Sequence, residues 1–353
     1  MEFFKSDFFS NSKPIFSIVS PENNALVTAT VASFYAQIGK ISSSIYQNGG
    51  LEINSNNFLF YVGDCGYVLK RGKFKSEKDL ATVSTQLELA GWLLAQGLEF
   101  PEIVFSENSN SKVVVDGHYY WYLMYFIDAD FFSGTSNEFL NAGKSMARLF
   151  CSLAEVPKNL IIDYQILPPA QDSLGIVEAT ENCKKKWPLL FGEPSYLLEE
   201  SWEHIRDTLE ETIQLESEIT ESIGLCHMDL HPHNLLMQES KVSAILDFGS
   251  LVQAPIYSSI AFNLFKLARQ TVALKNGDYL NDDFINHKNI VISSFLAKNL
   301  IPENADLGKY AKVEIMRRLL LILQLNIENN NSDWNYVLPI QINALKEAEM
   351  LLS

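Results

Sequence analysis

The sequence contains few cysteines and no long apolar run. Its four cysteines, Cys65, Cys151, Cys183 and Cys226, are scattered without paired spacing, which argues against a disulfide scaffold and suits a reducing cytosol. No apolar run reaches the roughly 18 residues needed to span a bilayer. The first seven residues include acidic side chains and no sustained apolar core, so they do not resemble a signal peptide. We therefore expect a cytoplasmic protein without a membrane partner.

Positive charge is also scarce. The 27 lysine and arginine residues are outnumbered by 43 acidic residues, which gives a formal net charge of -16. Such a charge argues against a nucleic-acid partner and against an anionic membrane surface. It is compatible with a cationic ligand, although solubility alone explains it equally well. At 353 residues the chain is long enough for two lobes with substantial cores, and its oligomeric state stays open.

A polar motif in the second half of the chain combines acidic, amide and histidine side chains: His227-Met228-Asp229-Leu230-His231-Pro232-His233-Asn234. Pro232 keeps the segment between Asp229 and Asn234 from becoming a helix. Residues 235–237 and 242–246 are then predicted to be two strands around a turn, with Asp247 directly after the second strand. This hairpin would bring Asn234 and Asp247 close together. An amide and a carboxylate at adjacent strand ends can share a hard divalent cation, which leaves Asp229 as a base.

The histidines of this motif permit a second interpretation, a zinc site. His227, His231 and His233, together with Cys226, are residue types that bind zinc. No second cluster of cysteine and histidine completes such a site in the sequence, whereas the interpretation with two carboxylates uses the whole motif.

The motif, His-x-Asp-x-His-Pro-x-Asn followed by Asp247-Phe248-Gly249, resembles the catalytic loop and metal-binding motif of the aminoglycoside phosphotransferase and choline kinase family. The resemblance implies that Asp229 receives the proton of an attacking hydroxyl. It also implies that Asn234 and Asp247 hold Mg²⁺ against the phosphates of ATP. By the same resemblance His227 braces the loop and His231 lies in the pocket, whereas His233 is expected to be solvated.

Three upstream segments resemble the nucleotide-binding parts of the same family. Lys70 ends the predicted strand from Tyr67 and resembles the lysine that reaches the nucleotide phosphates. In the helix predicted from Leu80 to Gln96, Glu88 resembles the glutamate that pairs with this lysine, and Gln86 is a competing choice. The sequence lacks Gly-x-Gly-x-x-Gly, but the predicted turn that contains Ser55, Asn56 and Asn57 resembles the phosphate-covering loop. The apolar strand from Tyr119 resembles the one leading to the interlobe hinge, whose main chain would meet adenine at residues from Tyr125 to Ile127.

The fold class implied by the resemblance is α+β, a two-lobe protein-kinase-like fold. We expect a small antiparallel-sheet N-terminal lobe at residues 1–127, which binds the nucleotide and includes an arm with a helix that would start at Ser20-Pro21. A larger, mainly helical lobe at residues 128–353 would carry catalysis and the substrate pocket. It would begin with a linker at residues 128–135 and include an irregular segment, interrupted by prolines, at residues 155–195. Candidate pocket residues are His231, Asp128 and Asp130.

The implied activity is ATP-dependent transfer of the γ-phosphate to a hydroxyl of a sugar, amino sugar, amino alcohol, homoserine-like metabolite or aminoglycoside. A protein acceptor is not expected, because only residues 250–254 separate Gly249 from Pro255 and no Ala-Pro-Glu motif follows. An alternative is a nucleotide-binding regulator without turnover. Ser258 favours this alternative, because it stands where the family usually has an aspartate that braces the catalytic loop.

Overall fold

The computed structural model describes residues 16–48, 57–108, 110–161, 164, 166–169, 172, 174–218, 223–274, 282–329, 332 and 334–352. Contacts between Cα atoms divide the chain into two compact units. The sheet unit consists of the described residues in Ser10–Tyr164 and Pro232–Leu251, and the helical unit of those in Gln165–His231 and Val252–Ser353. The expected lobe boundary at residue 127 stays a prediction.

The strands are β1 (Phe16–Ile18), β2 (Tyr46–Asn48), β3 (Asn57–Val62), β4 (Cys65–Lys73), β5 (Ile103–Val104), β6 (Val114–Asp116), β7 (Tyr119–Tyr125), β8 (Asp130–Phe131), β9 (Ile223–His227), β10 (Leu235–Gln238), β11 (Lys241–Ile245) and β12 (Leu251–Pro255). Seven of them, β1 to β7, form one antiparallel sheet in the order β1-β2-β3-β4-β7-β5, with β6 also paired to β7. A smaller sheet has the order β11-β10-β8, and β12 pairs with β9.

The α-helices are α1 (Pro21–Phe34), α2 (Glu77–Ala95), α3 (Ser136–Ala154), α4 (Leu174–Asn182), α5 (Trp187–Phe191), α6 (Ser195–Glu218), α7 (Ile256–Leu274), α8 (Asp282–Leu296), α9 (Leu307–Asn329) and α10 (Leu338–Leu352). None of the helices that the structure describes combines the length and the apolar character that a bilayer span requires.

The sheet unit has its hydrophobic core on one face of the large sheet. Alternate residues of β3, β4 and β7 point to this face, as the period of two along a strand requires. They pack with Val27 and Val31 of α1, and the strand residues are Phe58, Phe60, Tyr67, Leu69, Trp121 and Leu123. Helix α1 begins as predicted, with Ser20 as N-cap and Pro21 in the first turn. The other face of the sheet is therefore available for polar residues such as Lys70.

The helical unit is organised around α9. This helix packs against α4, α6, α7 and α10, and most of its apolar side chains, among them Leu319 and Leu323, are buried. Helix α7 follows directly on β12 and also contacts β9. The strand before the catalytic loop is thereby fixed to the helix that follows the Asp-Phe-Gly motif.

Three segments differ from the sequence-based expectation. Helix α2 begins at Glu77, before the predicted Leu80, because Ser76 and Asp79 form a capping box. The expected linker at residues 128–135 contains β8, which is stabilised by pairing with the remote β10. Residues 155–195 were expected to be irregular but contain α4 and α5. Pro188 is compatible with α5 because it lies in the first turn.

Candidate active site

The catalytic loop of the helical unit is held by two buried side chains. His227 ends β9, and its Nδ1 accepts a hydrogen bond from the amide of Asp229 at 3.2 Å. Asn263 of α7 accepts from the amide of Leu230 at 2.8 Å and donates to the carbonyl of His227 at 2.6 Å. Its amide also donates to the carbonyl of Ser259 at 2.9 Å. These bonds satisfy the buried main chain of the loop and fix it to α7.

Ser258, in place of the family aspartate, led to the expectation that the catalytic loop lacks a brace, but Asn263 braces it. The serine is buried in α7, and the family aspartate that would brace the loop from this position is absent. Asn263, one and a half turns further along the helix, supplies hydrogen bonds to both sides of Asp229. The rigidity of the loop therefore does not depend on a carboxylate at position 258.

Asp229 lies among positive charges. Lys266 of α7 donates a hydrogen bond to Oδ1, and Nε2 of His231 lies 3.3 Å from Oδ2. Nη1 of Arg318, from α9, lies 3.8 Å from Oδ1. Burial alone would raise the pKa of Asp229, but the charges of Lys266, His231 and Arg318 outweigh it and hold that pKa well below its usual range. The carboxylate is therefore ionised at neutral pH and, with Lys266 bound to it, is a weak proton acceptor.

The predicted hairpin of the sheet unit is present. Strands β10 and β11 pair Leu235 with Ile245, and the amide of Leu246 donates to the carbonyl of Asn234 at 2.9 Å. The two turn residues, Glu239 and Ser240, both have positive φ, as a tight two-residue hairpin requires. Asn234 and Asp247 consequently lie at the same end of this hairpin.

Asp247 has a special backbone conformation, with φ 62° and ψ 66° in the left-handed region. Among residues other than glycine, aspartate and asparagine tolerate this region best. Its Oδ2 accepts a hydrogen bond from the hydroxyl of Ser250. The Asp247 carboxylate and the Asn234 amide supply hard oxygen donors, which is the chemistry that Mg²⁺ requires. Their role as metal ligands stays a prediction.

Lys70 lies in a row of three polar residues across the large sheet. It is directly opposite Asn57 on β3 and Tyr122 on β7. Its ammonium donates to the Tyr122 hydroxyl and lies 6.0 Å from the centre of that ring. Burial raises the pKa of Tyr122, the charge of Lys70 acts against this, and the charge of Asp247 adds to it. The pKa of Tyr122 thus responds to the charges of both Lys70 and Asp247, and a joint role of these two groups at the phosphates stays a prediction.

Gln86 and Glu88, the two candidates for the partner of Lys70, lie on different faces of helix α2. Its buried residues are Thr85, Leu87, Leu89, Ala90 and Leu93. With 3.6 residues per turn, Gln86 falls within this face and Glu88 on the opposite one. Glu88 is exposed, and no ion pair or hydrogen bond joins it to another residue in the described part of the chain. Pairing of Glu88 with Lys70 stays a prediction, and helix packing favours Gln86.

The remaining nucleotide and pocket candidates lie in the sheet unit. The amides of Tyr125 and Phe126 donate to the carbonyls of Glu102 at 3.0 Å and Gly66 at 2.9 Å. Of the three hinge amides, that of Ile127 is thus the better candidate to contact adenine. Asp128 and Asp130 are exposed. Of the predicted phosphate-covering loop, Asn57 begins β3, while Ser55 and Asn56 lie outside the described residues.

The structure bears on the predicted exposure of His233 and on the alternative interpretation of the histidines as a zinc site. His233 is half-buried and packs edge-on against Phe131, with 4.7 Å between the ring centres, so the expectation that it is solvated was wrong. Among the described residues, no group of three or more histidine, cysteine, aspartate and glutamate side chains is arranged to hold a metal ion. The zinc interpretation is therefore unsupported.

A comparison with protein families agrees with this geometry. The model of the phosphotransferase enzyme family, APH, matches residues 50–275, which is well over half of the chain and includes the whole polar motif. The chain belongs to this family. It is accordingly a phosphotransferase that acts on an alcohol group, and the resemblance to aminoglycoside phosphotransferases is confirmed. No curated protein sequence is significantly similar to it.

Solved structures confirm the fold class of this phosphotransferase. It is similar to spectinomycin phosphotransferase in complex with ADP and spectinomycin, at 15% identity and TM-score 0.67, over 92% of this chain and 93% of that one. A second similar structure is an amicoumacin kinase in complex with AMP-PNP and Ca²⁺, at 13% identity and TM-score 0.56, over 92% and 93% of the two chains. A third is a microcompartment-associated aminopropanol kinase, at 12% identity and TM-score 0.57, over 93% and 99%. At these identities the likeness establishes the antiparallel-sheet and helical kinase-like fold and no more.

Three residues around Asp229 were not predicted: Asn263, Lys266 and Arg318. A signal for the first two was present, because Ser259, Asn263, Lys266 and Gln270 are spaced 4, 3 and 4 residues apart in a mostly apolar helix. That spacing puts a polar stripe on one helix face. Arg318 is 89 positions from Asp229 in the sequence, and no local pattern predicts that contact.

Proposed function

We propose that this phosphotransferase transfers the γ-phosphate of ATP to a hydroxyl group of a small metabolite or drug and requires Mg²⁺. The observation that carries the proposal is the hairpin of the sheet unit, which places Asn234 and Asp247 at the same end. Two similar enzymes support it, one crystallised with ADP and the other with AMP-PNP and Ca²⁺.

The sheet unit would bind the nucleotide. Asn234 and Asp247 would hold the metal through their oxygen atoms, and Lys70 would contact the phosphates. Bound Mg²⁺ neutralises phosphate charge that develops as the bond to the leaving group breaks.

The helical unit would activate the acceptor through Asp229. The acceptor oxygen forms a bond to the γ-phosphorus, the bond between that phosphorus and the bridging oxygen breaks, and ADP leaves. Asp229 receives the proton of the acceptor hydroxyl. Since Lys266 weakens Asp229 as a base, positioning of the hydroxyl contributes more than proton abstraction, as is usual for phosphoryl transfer.

The acceptor is proposed to be a small molecule because the segment after the Asp-Phe-Gly motif is short. It consists of the turn Phe248–Ser250 and the strand β12, and α7 begins at Ile256. A bound peptide advances about 3.3 Å per residue and needs a platform of several residues. No comparable length of chain is available here. In the part of the chain that the structure describes, none of the four cysteines forms a disulfide, which is in keeping with the proposed cytoplasmic location.

A screen for ADP release tests the proposed function. Purified protein with ATP and Mg²⁺ is offered a panel of hydroxylated metabolites and aminoglycosides, with the Asp247→Ala variant as control. We expect release above background for at least one acceptor, lost without Mg²⁺ and in the variant. Nucleotide binding without release on any acceptor would contradict the proposal and favour the regulator.

A further inference from the structure

Two fixed cations lie beside the carboxylate that would activate the acceptor, and they bear on the substrate of the proposed function. Lys266 comes from α7 and Arg318 from α9, so two helices each place one cation next to Asp229. Both also lie over the ring of Phe262, at 5.9 Å and 4.5 Å from its centre. Two cations thus lie beside one carboxylate in a chain with a net charge of -16.

Arg318 is held in place before any ligand arrives. Its Nε donates to Glu314 at 2.9 Å, its Nη2 donates to the carbonyl of Met228 at 2.8 Å, and the ring of Phe262 supports the guanidinium plane. Its Nη1 lies 3.8 Å from the nearest Asp229 oxygen, which is too far for a hydrogen bond. The side chain is 31% exposed. One edge of a rigid guanidinium is thus open to a ligand.

The carboxylate bound to Arg318 is more buried than the groups around it. Glu314 is only 4% exposed and is shared by Arg317 and Arg318. Arg318, Asp229 and Lys266 are 31%, 21% and 17% exposed, so two cations and one carboxylate of this cluster are accessible. An ammonium group would be repelled there, whereas a planar anion matches the fork of an arginine.

We propose that the hydroxyl acceptor carries an anionic group, a carboxylate or a phosphate monoester, that binds to Arg318 and Lys266. This proposal rests on the proposed function. It predicts an anionic acceptor, whereas the net charge of the chain is compatible with a cationic one. Binding of the anion draws the Lys266 ammonium away from Asp229 and leaves that carboxylate free for the acceptor hydroxyl. The positions of Asp229 and Arg318 also limit the acceptor, because its hydroxyl and anionic oxygens can lie no more than roughly 9 Å apart when each makes a hydrogen bond.

The test uses matched acceptors that differ only in charge. Short hydroxy acids of up to about six carbons, their phosphate-ester counterparts, their neutral amides and the corresponding amines are compared by ADP release. We expect the anionic member of a pair to have the higher kcat/KM, by about tenfold or more. The Arg318→Gln variant should raise KM for that acceptor by about 10–100-fold, the loss expected for a charge-assisted hydrogen bond, and leave KM for ATP within about twofold. Comparison of the carboxylate with the phosphate series identifies which anion binds.

Two further variants separate binding of the anion from a general loss of charge or of fold. Lys309 lies on the same helix as Arg318 but is largely exposed, and in the part of the chain that the structure describes its only ion pair is with Asp306. Lys309→Gln should therefore leave all kinetic constants unchanged. Arg318→Lys should restore part of the affinity, because it keeps the charge without the fork. A thermal midpoint of Arg318→Gln near that of the wild type shows that the variant folds.

Calorimetry without turnover distinguishes failure of this inference from failure of the proposed function. The same hydroxy acids and phosphate esters are titrated into protein saturated with ADP and Mg²⁺. Binding that is lost in Arg318→Gln supports the anion site even if no acceptor is phosphorylated. Turnover of neutral or cationic acceptors that Arg318→Gln does not change would overturn the inference and leave the proposed function standing. The absence of binding and of anionic preference across the panel would also overturn it.

Discussion

At the scale of single residues, one buried amide positions the loop that carries Asp229. Asn263 is fully buried and uses its carbonyl oxygen and its amide group on the main chain at both ends of the loop. The sequence predicted a loop with a weakened brace, because Ser258 replaces a carboxylate. The compensating amide could not be assigned from the sequence, since its contacts lie 33 and 36 positions away.

We predict that Asn263→Ala lowers kcat by at least tenfold and the free energy of unfolding by about 1–3 kcal/mol, because buried main-chain groups lose their partners. Urea unfolding and steady-state kinetics measure the two effects. Asn326→Ala is the matched control, since among the described residues that buried amide donates only to the carbonyl of Ile322 within its own helix. A variant with reduced stability and unchanged kcat would show that Asn263 does not position the loop.

The charges around Asp229 predict a pH dependence of stability. The pKa of this carboxyl is depressed in the folded state, below the unfolded value of about 3.9. Its ion pairs therefore stabilise the fold fully above that unfolded value, and the contribution is lost as pH falls through the lower folded value. We expect the difference in unfolding free energy between wild type and Asp229→Asn to be constant from about pH 8 to 5 and to shrink below about pH 4. A difference that changes near pH 6 would assign the dependence to His231 instead.

At the scale of secondary structure, the elements with strong local patterns were predicted and the short or remotely stabilised ones were not. The hairpin of β10 and β11 and helix α1 follow from alternation and capping residues in the sequence. Strand β8 has only two residues and depends on pairing with β10, about a hundred positions later. The register of α2 was ambiguous for the same reason, because only its packing shows which face is buried.

The packing of α2 predicts that substitutions of Gln86 and of Glu88 affect ATP binding differently. Helix α2 packs against the turn Phe248–Ser250, which follows the proposed metal ligand Asp247. We predict that Gln86→Ala raises KM for ATP by about 3–10-fold, as expected for loss of one or two hydrogen bonds. Glu88→Gln should have no effect on KM. A raised KM in Glu88→Gln alone would instead support the pairing of Glu88 with Lys70.

At the scale of the whole molecule, the polar motif that is continuous in the sequence is divided between the helical unit and the sheet unit. Asp229 and His231 belong to the helical unit, whereas Asn234 and Asp247 belong to the sheet unit. The sequence predicted the family and the residue types of the motif, because these depend on local spacing. It did not predict the cations around Asp229, because they come from α7 and α9, whose positions depend on packing in the helical unit.

Transfer of phosphate from ATP to a small hydroxylated acceptor can be followed by phosphorus NMR, which identifies the product. In a reaction with ATP, Mg²⁺ and the best acceptor, we expect a new phosphomonoester signal that grows in equal amount with ADP and is absent with Asp229→Asn and with Asp247→Ala. ADP with inorganic phosphate alone, or label recovered only on protein, would contradict it.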